Sequence, residues 1–236
     1  MEKGVLYLIP TVIAPQTESK ALPPDLIKLC SQLDYYLVEN IRTARRCLSA
    51  MNIDKAIQEI TFHELSKNTE CVDIPKLMAP ILEGKSIGIM SEAGCPGIAD
   101  PGARAVAYAH ENDIRVEPWV GPSSIFLALM GSGFSGQSFA FSGYLPIEKK
   151  AKTQAIRTLE QAVFKTGQTQ IFMETPYRNN QLIADITKTC APQLKLCIAK
   201  NINGEDEMIM TDTVQNWKKN KPELHKVPCI FLFGRD

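Results

Sequence analysis

The stretch Ser91-Glu92-Ala93-Gly94-Cys95-Pro96-Gly97-Ile98-Ala99-Asp100-Pro101-Gly102 decides how the chain is read. It follows the apolar run Ile87-Gly88-Ile89-Met90, which reads as a buried strand, and it leads into an alanine-rich run over residues 103–109 with good helix propensity. Five of its twelve residues are glycine or proline. Neither strand nor helix continues through such a segment, because glycine adds backbone freedom while proline fixes φ and removes a donor. A shaped loop at the carboxyl end of a buried strand is where open α/β sheets place ligands. The competing reading is an ordinary tight connection, but strand-to-helix turns usually span only about 2–6 residues and are rarely this rich in both residue types.

Outward from that loop, strands and helices alternate. Residues 5–9 read as a buried strand stopped by Pro10, and Pro23-Pro24-Asp25 opens a helix with Leu26, Leu29, Cys30 and Leu33 on one face. Residues 35–39 form the next strand, and Asn40 is placed to cap a helix whose outer face carries Arg42, Arg45 and Arg46. A short strand is expected over 57–61, a helix over 73–82 closed by Gly84, a strand over 86–90 and another over 114–116. This alternation is the signature of a mostly parallel sheet with right-handed crossovers. A second unit is expected from Pro118 onward, with an apolar helix over 123–130, strands over 138–142 and 169–173, and a charged amphipathic helix over 149–165. A helix from Pro176 and strands over 195–199, 208–212 and 227–233 complete it. Strands outnumber helices there, which points to a mixed sheet. The expected division is thus an N-terminal α/β domain over 1–117 and a C-terminal mixed α/β domain over 118–236.

Composition removes several classes of function. The 236 residues are 44% hydrophobic and 22% charged, enough for a real core, and they contain no apolar run of about 18 residues. Met1-Glu2-Lys3 leads straight into a strand-like run without a signal-peptide pattern, so a cytoplasmic protein with no membrane association is expected. Seven scattered cysteines without a C-x-x-C pair argue against a disulfide framework, and with only three separated histidines no metal site is expected. The 26 basic residues balance 26 acidic ones, so no global field draws the chain to nucleic acid, although a local basic patch remains open.

Gly131-Ser132-Gly133-Phe134-Ser135-Gly136 matches G-x-G-x-x-G, but it follows a helix-like run and leads into a strand, the reverse of the strand-to-helix context a dinucleotide site needs. G-x-x-x-x-G-K-[ST] and a G-x-S-x-G elbow are absent. Gly97, Gly102 and Gly121 sit beside prolines instead. The loops around Gly94 to Gly97 and Gly121-Pro122-Ser123-Ser124 can offer N–H groups, hydroxyls and a helix N-terminus to a small anionic group. Ser123 and Ser124 also suit simple N-capping.

Six segments in order, L-Y-L-I-P, E-N-I-R-T-A-R-R, the glycine-proline loop above, V-G-P-S-S, F-S-G-Y-L-P and F-M-E-T-P-Y-R, resemble the tetrapyrrole methylase superfamily. Within it the likeness is nearest to the small-subunit rRNA 2′-O-ribose methyltransferases, whose loop reads S-D-A-G-x-P-x-x-S-D-P-G. The resemblance covers almost the whole chain. It implies a two-domain α/β fold with a cofactor cleft between the domains, S-adenosylmethionine as cofactor, a homodimer, and rRNA or the small ribosomal subunit as partner. By position, Pro10, Ser91, Glu92, Ala93, Gly94, Pro96, Ile98, Ser123 and Ser124 would surround the methionine part. Tyr144, Leu145, Met173, Glu174, Ala199 and Pro228 would lie near the adenosine. Glu39 and Arg42 are the catalytic candidates, and Arg42, Arg45, Arg46, Lys149, Lys150, Lys152 and Arg178 the candidates for gripping phosphates, each also readable as a solvated helix face.

The departures from the family pattern fall on the acceptor side. The usual E-D-T-R reads Glu39-Asn40-Ile41-Arg42, the early P-I-G-N turn reads Thr11-Val12-Ile13-Ala14, E-S-P-H-R reads Glu174-Thr175-Pro176-Tyr177-Arg178, and an arginine that could contact phosphate is Ile147. Methylation of a small molecule such as a tetrapyrrole, or a non-catalytic S-adenosylmethionine-binding module, are therefore the alternatives.

Overall fold

The computed structural model describes residues 2–235. The chain divides into two compact units, the first ending at Ser123 and the second starting at Ser124. Each is built on its own five-stranded sheet.

The first unit runs β1 (Val5–Ile9), α1 (Glu18–Ala21), α2 (Pro24–Gln32), β2 (Tyr35–Val38), α3 (Ile41–Ala50), β3 (Thr61–Glu64), α4 (Ile74–Leu82), β4 (Ile87–Met90), α5 (Gly102–Glu111) and β5 (Arg115–Pro118). Its strands are all parallel in the order β3-β2-β4-β1-β5. The period-two alternation of strand side chains splits its core into two layers. Ile9, Tyr36, Val38 and Met90 pack with Leu26, Cys30 and Leu48 on one face, and Leu6, Leu37, Ile87 and Ile89 pack with Met78, Ile81, Ala105 and Ala109 on the other. Strands covered on both faces read as continuous apolar runs, which is why β1, β2 and β4 are visible in the sequence. Gly88 is needed in β4, because a Cβ there would lie 2.7 Å from Ile9 Cδ1 and 2.8 Å from the Tyr36 ring.

The second unit runs α6 (Ser124–Ser132), β6 (Phe139–Tyr144), α7 (Lys149–Thr166), β7 (Thr169–Met173), α8 (Asn179–Thr189), β8 (Lys195–Lys200), β9 (Met208–Thr213), α9 (Val214–Lys219) and β10 (Cys229–Gly234). The sheet order is β6-β7-β10-β8-β9, with β6 and β7 parallel and the remaining pairs antiparallel. The mixed sheet expected for this half is therefore present. Phe172 packs against Phe231 and Phe233, and Trp217 donates from Nε1 to Leu196 O at 2.8 Å.

Several boundaries differ from the sequence reading. The boundary expected after 117 falls after Ser123, since Trp119 N donates to Leu8 O and Gly121 lies against Pro10. The strand expected over 57–61 is a 3-10 turn, Ile57–Glu59, and pairing starts at Thr61. β3, Thr61-Phe62-His63-Glu64, is an edge strand with exposed ends and a single apolar side chain, so it carries no apolar run. Helix α9 is capped by the Thr213 hydroxyl, which accepts from Asn216 N, and it buries only Val214 and Trp217, too few to show a helical period. β10 begins at Cys229 rather than 227, because Lys226 takes φ 62° and Pro228 has no N–H to pair. Among the described residues no helix is long and apolar enough to cross a membrane.

Candidate functional site

In the first unit the loops after β1, β4 and β5 leave the carboxyl edge of the parallel sheet. They are tied together by backbone. Thr11 N donates to Gly94 O at 2.9 Å and Gly94 N donates to Thr11 O at 3.2 Å, an isolated bridge between the loop after β1 and the loop after β4. Gly94 needs its φ of 77°, and Cys95 Sγ reaches Pro122 O at 3.4 Å from the loop after β5. Gly121 and Pro10 touch so closely that a Cβ at 121 would sit 2.1 Å from Pro10 Cβ. The sequence expectation named Pro10, Ser91, Glu92, Ala93, Gly94 and Pro96, and the structure brings them together. Pro10, Ser91, Gly94 and Pro96 are buried, Glu92 and Ala93 are exposed, and Ile98 stands out at 55% exposure. Ser91 Oγ donates to Ala93 O and Gly94 O at 3.3 and 3.4 Å, so its hydroxyl holds the turn's own shape.

Beside this loop lies a group of three carboxylates. Glu92 N donates to Glu39 Oε2 at 3.3 Å, and Glu92 Oε1 accepts from the Thr43 hydroxyl at 3.3 Å. Asp100 Oδ1 accepts from Gly97 N and Gly102 N, both at 2.7 Å, and so staples the loop shut at the start of α5. Burial pushes the Glu39 carboxyl above its ordinary value, and the nearby Glu92 and Asp100 charges add to this against the Glu92 N–H and Lys67. Burial also raises Asp100, against its two N–H bonds. Asn40 accepts from Thr43 N at 3.1 Å and caps α3, so the amide in place of the family's carboxylate keeps the cap. Arg42 lies exposed in the first turn of that helix; Arg45 and Arg46 are exposed too, with Arg45 over the Phe62 ring at 5.4 Å.

The residues that sequence reasoning left out are Thr11, Trp119 and Asp100. Thr11 is 2% exposed, and its Oγ1, Trp119 Nε1 and Asp100 Oδ2 are buried with no hydrogen-bond partner among the described residues. Unpartnered buried donors are costly unless a ligand or water meets them. A cradle of close backbone with an unpartnered Thr11 hydroxyl fits a small ligand bearing acceptor groups, as the methionine end of S-adenosylmethionine does; the Trp119 side chain packs against the core instead. Asp100 could have been found as the last acidic residue of the opening motif. Thr11 could not, because its burial follows from the bridge to Gly94.

Ser123 closes the first unit and Ser124, the first residue of α6, opens the second; both are half-buried. Tyr144 ends β6 at 56% exposure and Met173 ends β7 half-buried. Leu145 and Ala199 are buried, and Pro228 is exposed before β10. Glu174 is 3% exposed, and its carboxylate is already engaged by protein. Oε1 takes the Arg178 guanidinium and Thr175 N, while Oε2 faces Lys152 Nζ at 3.2 Å as an ion pair without hydrogen-bond alignment. Burial pushes the Glu174 carboxyl up, but Arg178, the Thr175 N–H and Lys152 outweigh it and hold it below the usual carboxylate range. Lys152 is thus a core residue at 5% exposure, and its side chain does not grip phosphate. Lys149 and Lys150 on the same helix are exposed.

Chains similar to this one agree with that architecture. The methyltransferase CobJ superposes with a TM-score of 0.65 at 14% identity, covering 99% of this chain and 94% of its own. The uroporphyrin-III-C-methyltransferase of Thermus thermophilus gives 0.59 at 14% identity over 98% and 94%. A protein named ribosomal RNA small subunit methyltransferase I from Halalkalibacterium halodurans is 31% identical over 185 residues, 78% of this chain and 60% of its own. The chain shares the fold of CobJ and of the Thermus thermophilus methyltransferase. Its relative of the same name from Pasteurella multocida is 28% identical over 97% of this chain and 78% of its own. No family model matches. The chain spans about 60% of the length of the first two curated relatives it matches, those from Halalkalibacterium halodurans and Micromonospora olivasterospora. The glycine-proline loop here stands at the carboxyl end of β4, the central strand of the parallel sheet.

Proposed function

We propose that the chain is an S-adenosylmethionine-dependent methyltransferase that modifies a ribose 2′-hydroxyl of small-subunit rRNA, in the cytoplasm and as a homodimer. The observation that carries the reading is the bridge of Thr11 to Gly94 with the Thr11 hydroxyl left without a partner, a cradle shaped by backbone. The run of relatives named for small-subunit rRNA methylation supports the acceptor. S-adenosylmethionine supplies an activated methyl group when bound.

The chain's own residues would do the rest. Pro10, Gly94, Pro96 and Gly121 set the cradle's shape, with Ser91, Glu92, Ala93 and Ile98 along its rim and Ser123 and Ser124 adding hydroxyls; Thr11 donates to the amino-acid end. Tyr144 and Met173 are assigned to the adenosine, with Leu145, Ala199 and Pro228 behind them and Glu174 acting through the loop it holds. Glu39, with its raised carboxyl, accepts the proton that the ribose hydroxyl releases, and Arg42 orients the neighbouring phosphate. Alignment provides most of the rate, so no catalytic dyad is needed. The homodimer is supported by Phe126 and Met130 on α6 and Met210 on β9, apolar side chains at 55, 78 and 47% exposure.

The test is transfer of tritiated methyl groups to naked rRNA, small subunits and a panel of tetrapyrroles, followed by nucleoside mass spectrometry. A 2′-O-methylated nucleoside is expected. Label on a base, or on a tetrapyrrole alone, would overturn the acceptor assignment.

A further inference from the structure

Exposed on the second unit is a small surface that the cofactor assignment does not use. Tyr177 is 70% exposed in the 3-10 turn Pro176–Arg178. The His225 ring meets it edge-on at 6.0 Å, and Lys226 Nζ lies 6.0 Å from its ring centroid. A bare aromatic ring of this size on a mobile loop would mean little. Here both supporting segments are fixed.

The turn over 223–227 is fastened by four hydrogen bonds, one to the 3-10 turn and three to the start of α8. Lys226 N donates to Pro176 O at 3.1 Å, Asn179 Nδ2 to Val227 O at 2.7 Å, Asn180 Nδ2 to Glu223 Oε1 at 2.5 Å, and Leu224 N to Asn180 Oδ1 at 2.9 Å. Lys226 itself holds a left-handed φ of 62°, an uncommon conformation for a lysine. Behind the ring, the buried Glu174 clamps Arg178 and Thr175, so the turn that presents Tyr177 is anchored from its core side as well. The result is an exposed ring carried on anchored backbone, with the Lys226 ammonium 6.0 Å from its centroid.

We infer that Tyr177, with Lys226 beside it, is a stacking platform for one unpaired base of the RNA acceptor, Lys226 meeting the adjoining phosphate. Single-stranded nucleic acid is held in this way, by bases laid on aromatic faces while cations follow the backbone. Preorganisation lowers the ordering cost of such a contact. This rests on the RNA reading above and adds a subsite to it.

The test uses the full chain and single-stranded RNA carrying 2-aminopurine, whose fluorescence falls on stacking, alongside an RNA duplex of the same sequence. Wild type is expected to bind the single strand more tightly and to quench it. Tyr177→Ala should lose quenching and weaken affinity roughly five- to hundredfold, as for one base–aromatic stack, while Tyr177→Phe retains both. Lys226→Asn, which suits the left-handed turn, should reduce the salt slope of binding by about 1. S-adenosylmethionine affinity should stay constant in all three variants. If wild type binds no RNA at low salt, the RNA reading itself fails. If it binds RNA but Tyr177→Ala leaves affinity and quenching intact, only the platform fails. A change of sedimentation in Tyr177→Ala, marking a surface shared by two copies of the chain, also overturns it.

Discussion

The Ser91 to Gly102 loop and the Glu174 to Arg178 loop both follow buried strands, yet they hold their shape by opposite means. The first is built from backbone: a bridge between Thr11 and Gly94, a glycine pressed on Pro10, and an aspartate whose one oxygen takes two N–H groups. The second is built from charge, with one buried carboxylate between Arg178 and Lys152. A backbone-shaped loop leaves polar donors free for a ligand. A loop held by a closed ion triad has its charges spent on itself and can only present what lies outside them, here Tyr177.

The contrast breaks most easily at its charged end. Glu174→Ala would leave Lys152 unpaired in a dry site and free the partly exposed Arg178, and a loss of about 3–5 kcal/mol is expected in urea unfolding. A loss near that of a surface salt bridge would show that Lys152 escapes to water. At the backbone end, Gly121→Ala forces a Cβ against Pro10, so overpacking of roughly 1–3 kcal/mol is expected in the same measurement. Asp100→Ala removes the acceptor of two N–H groups; about 1–3 kcal/mol and faster amide exchange at Gly97 and Gly102 should follow.

The smallest effect is one of sign with pH. Glu174 has a lowered carboxyl, so its stabilisation is complete above its unfolded value near 4.5 and is lost as pH falls through the lower folded value. Glu39 and Asp100 are raised from 4.5 and 3.8, so their contribution is complete below those values and is lost as pH rises through the higher folded ones. Acid should therefore weaken the second unit before the first. With one tryptophan in each unit, Trp119→Phe reports on the second and Trp217→Phe on the first. Parallel acid transitions in the two variants would remove the contrast.

The same contrast explains what the sequence made legible. Glycine and proline write the first loop openly, and doubly covered strands such as β2 and β4 show as apolar runs. Lys152 was hidden, because on a helix carrying Lys149 and Lys150 it has the look of one more surface charge; only the tertiary position of Glu174 buries it. Thr11 and Trp119 were hidden for the same reason, since nothing local tells that their polar atoms lose water. Edge strand β3 and the short α9 lack a periodic apolar pattern altogether.

The cradle is tested most directly by titration calorimetry of S-adenosylmethionine with wild type, Gly94→Val and Tyr177→Phe. Gly94 sits at φ 77° with a Cβ position 3.4 Å from Pro122 O, so valine there strains the bridge to Thr11. Binding is expected in wild type and Tyr177→Phe and abolished in a folded Gly94→Val. Unchanged affinity in Gly94→Val would contradict the assignment of the loop as the cofactor's cradle.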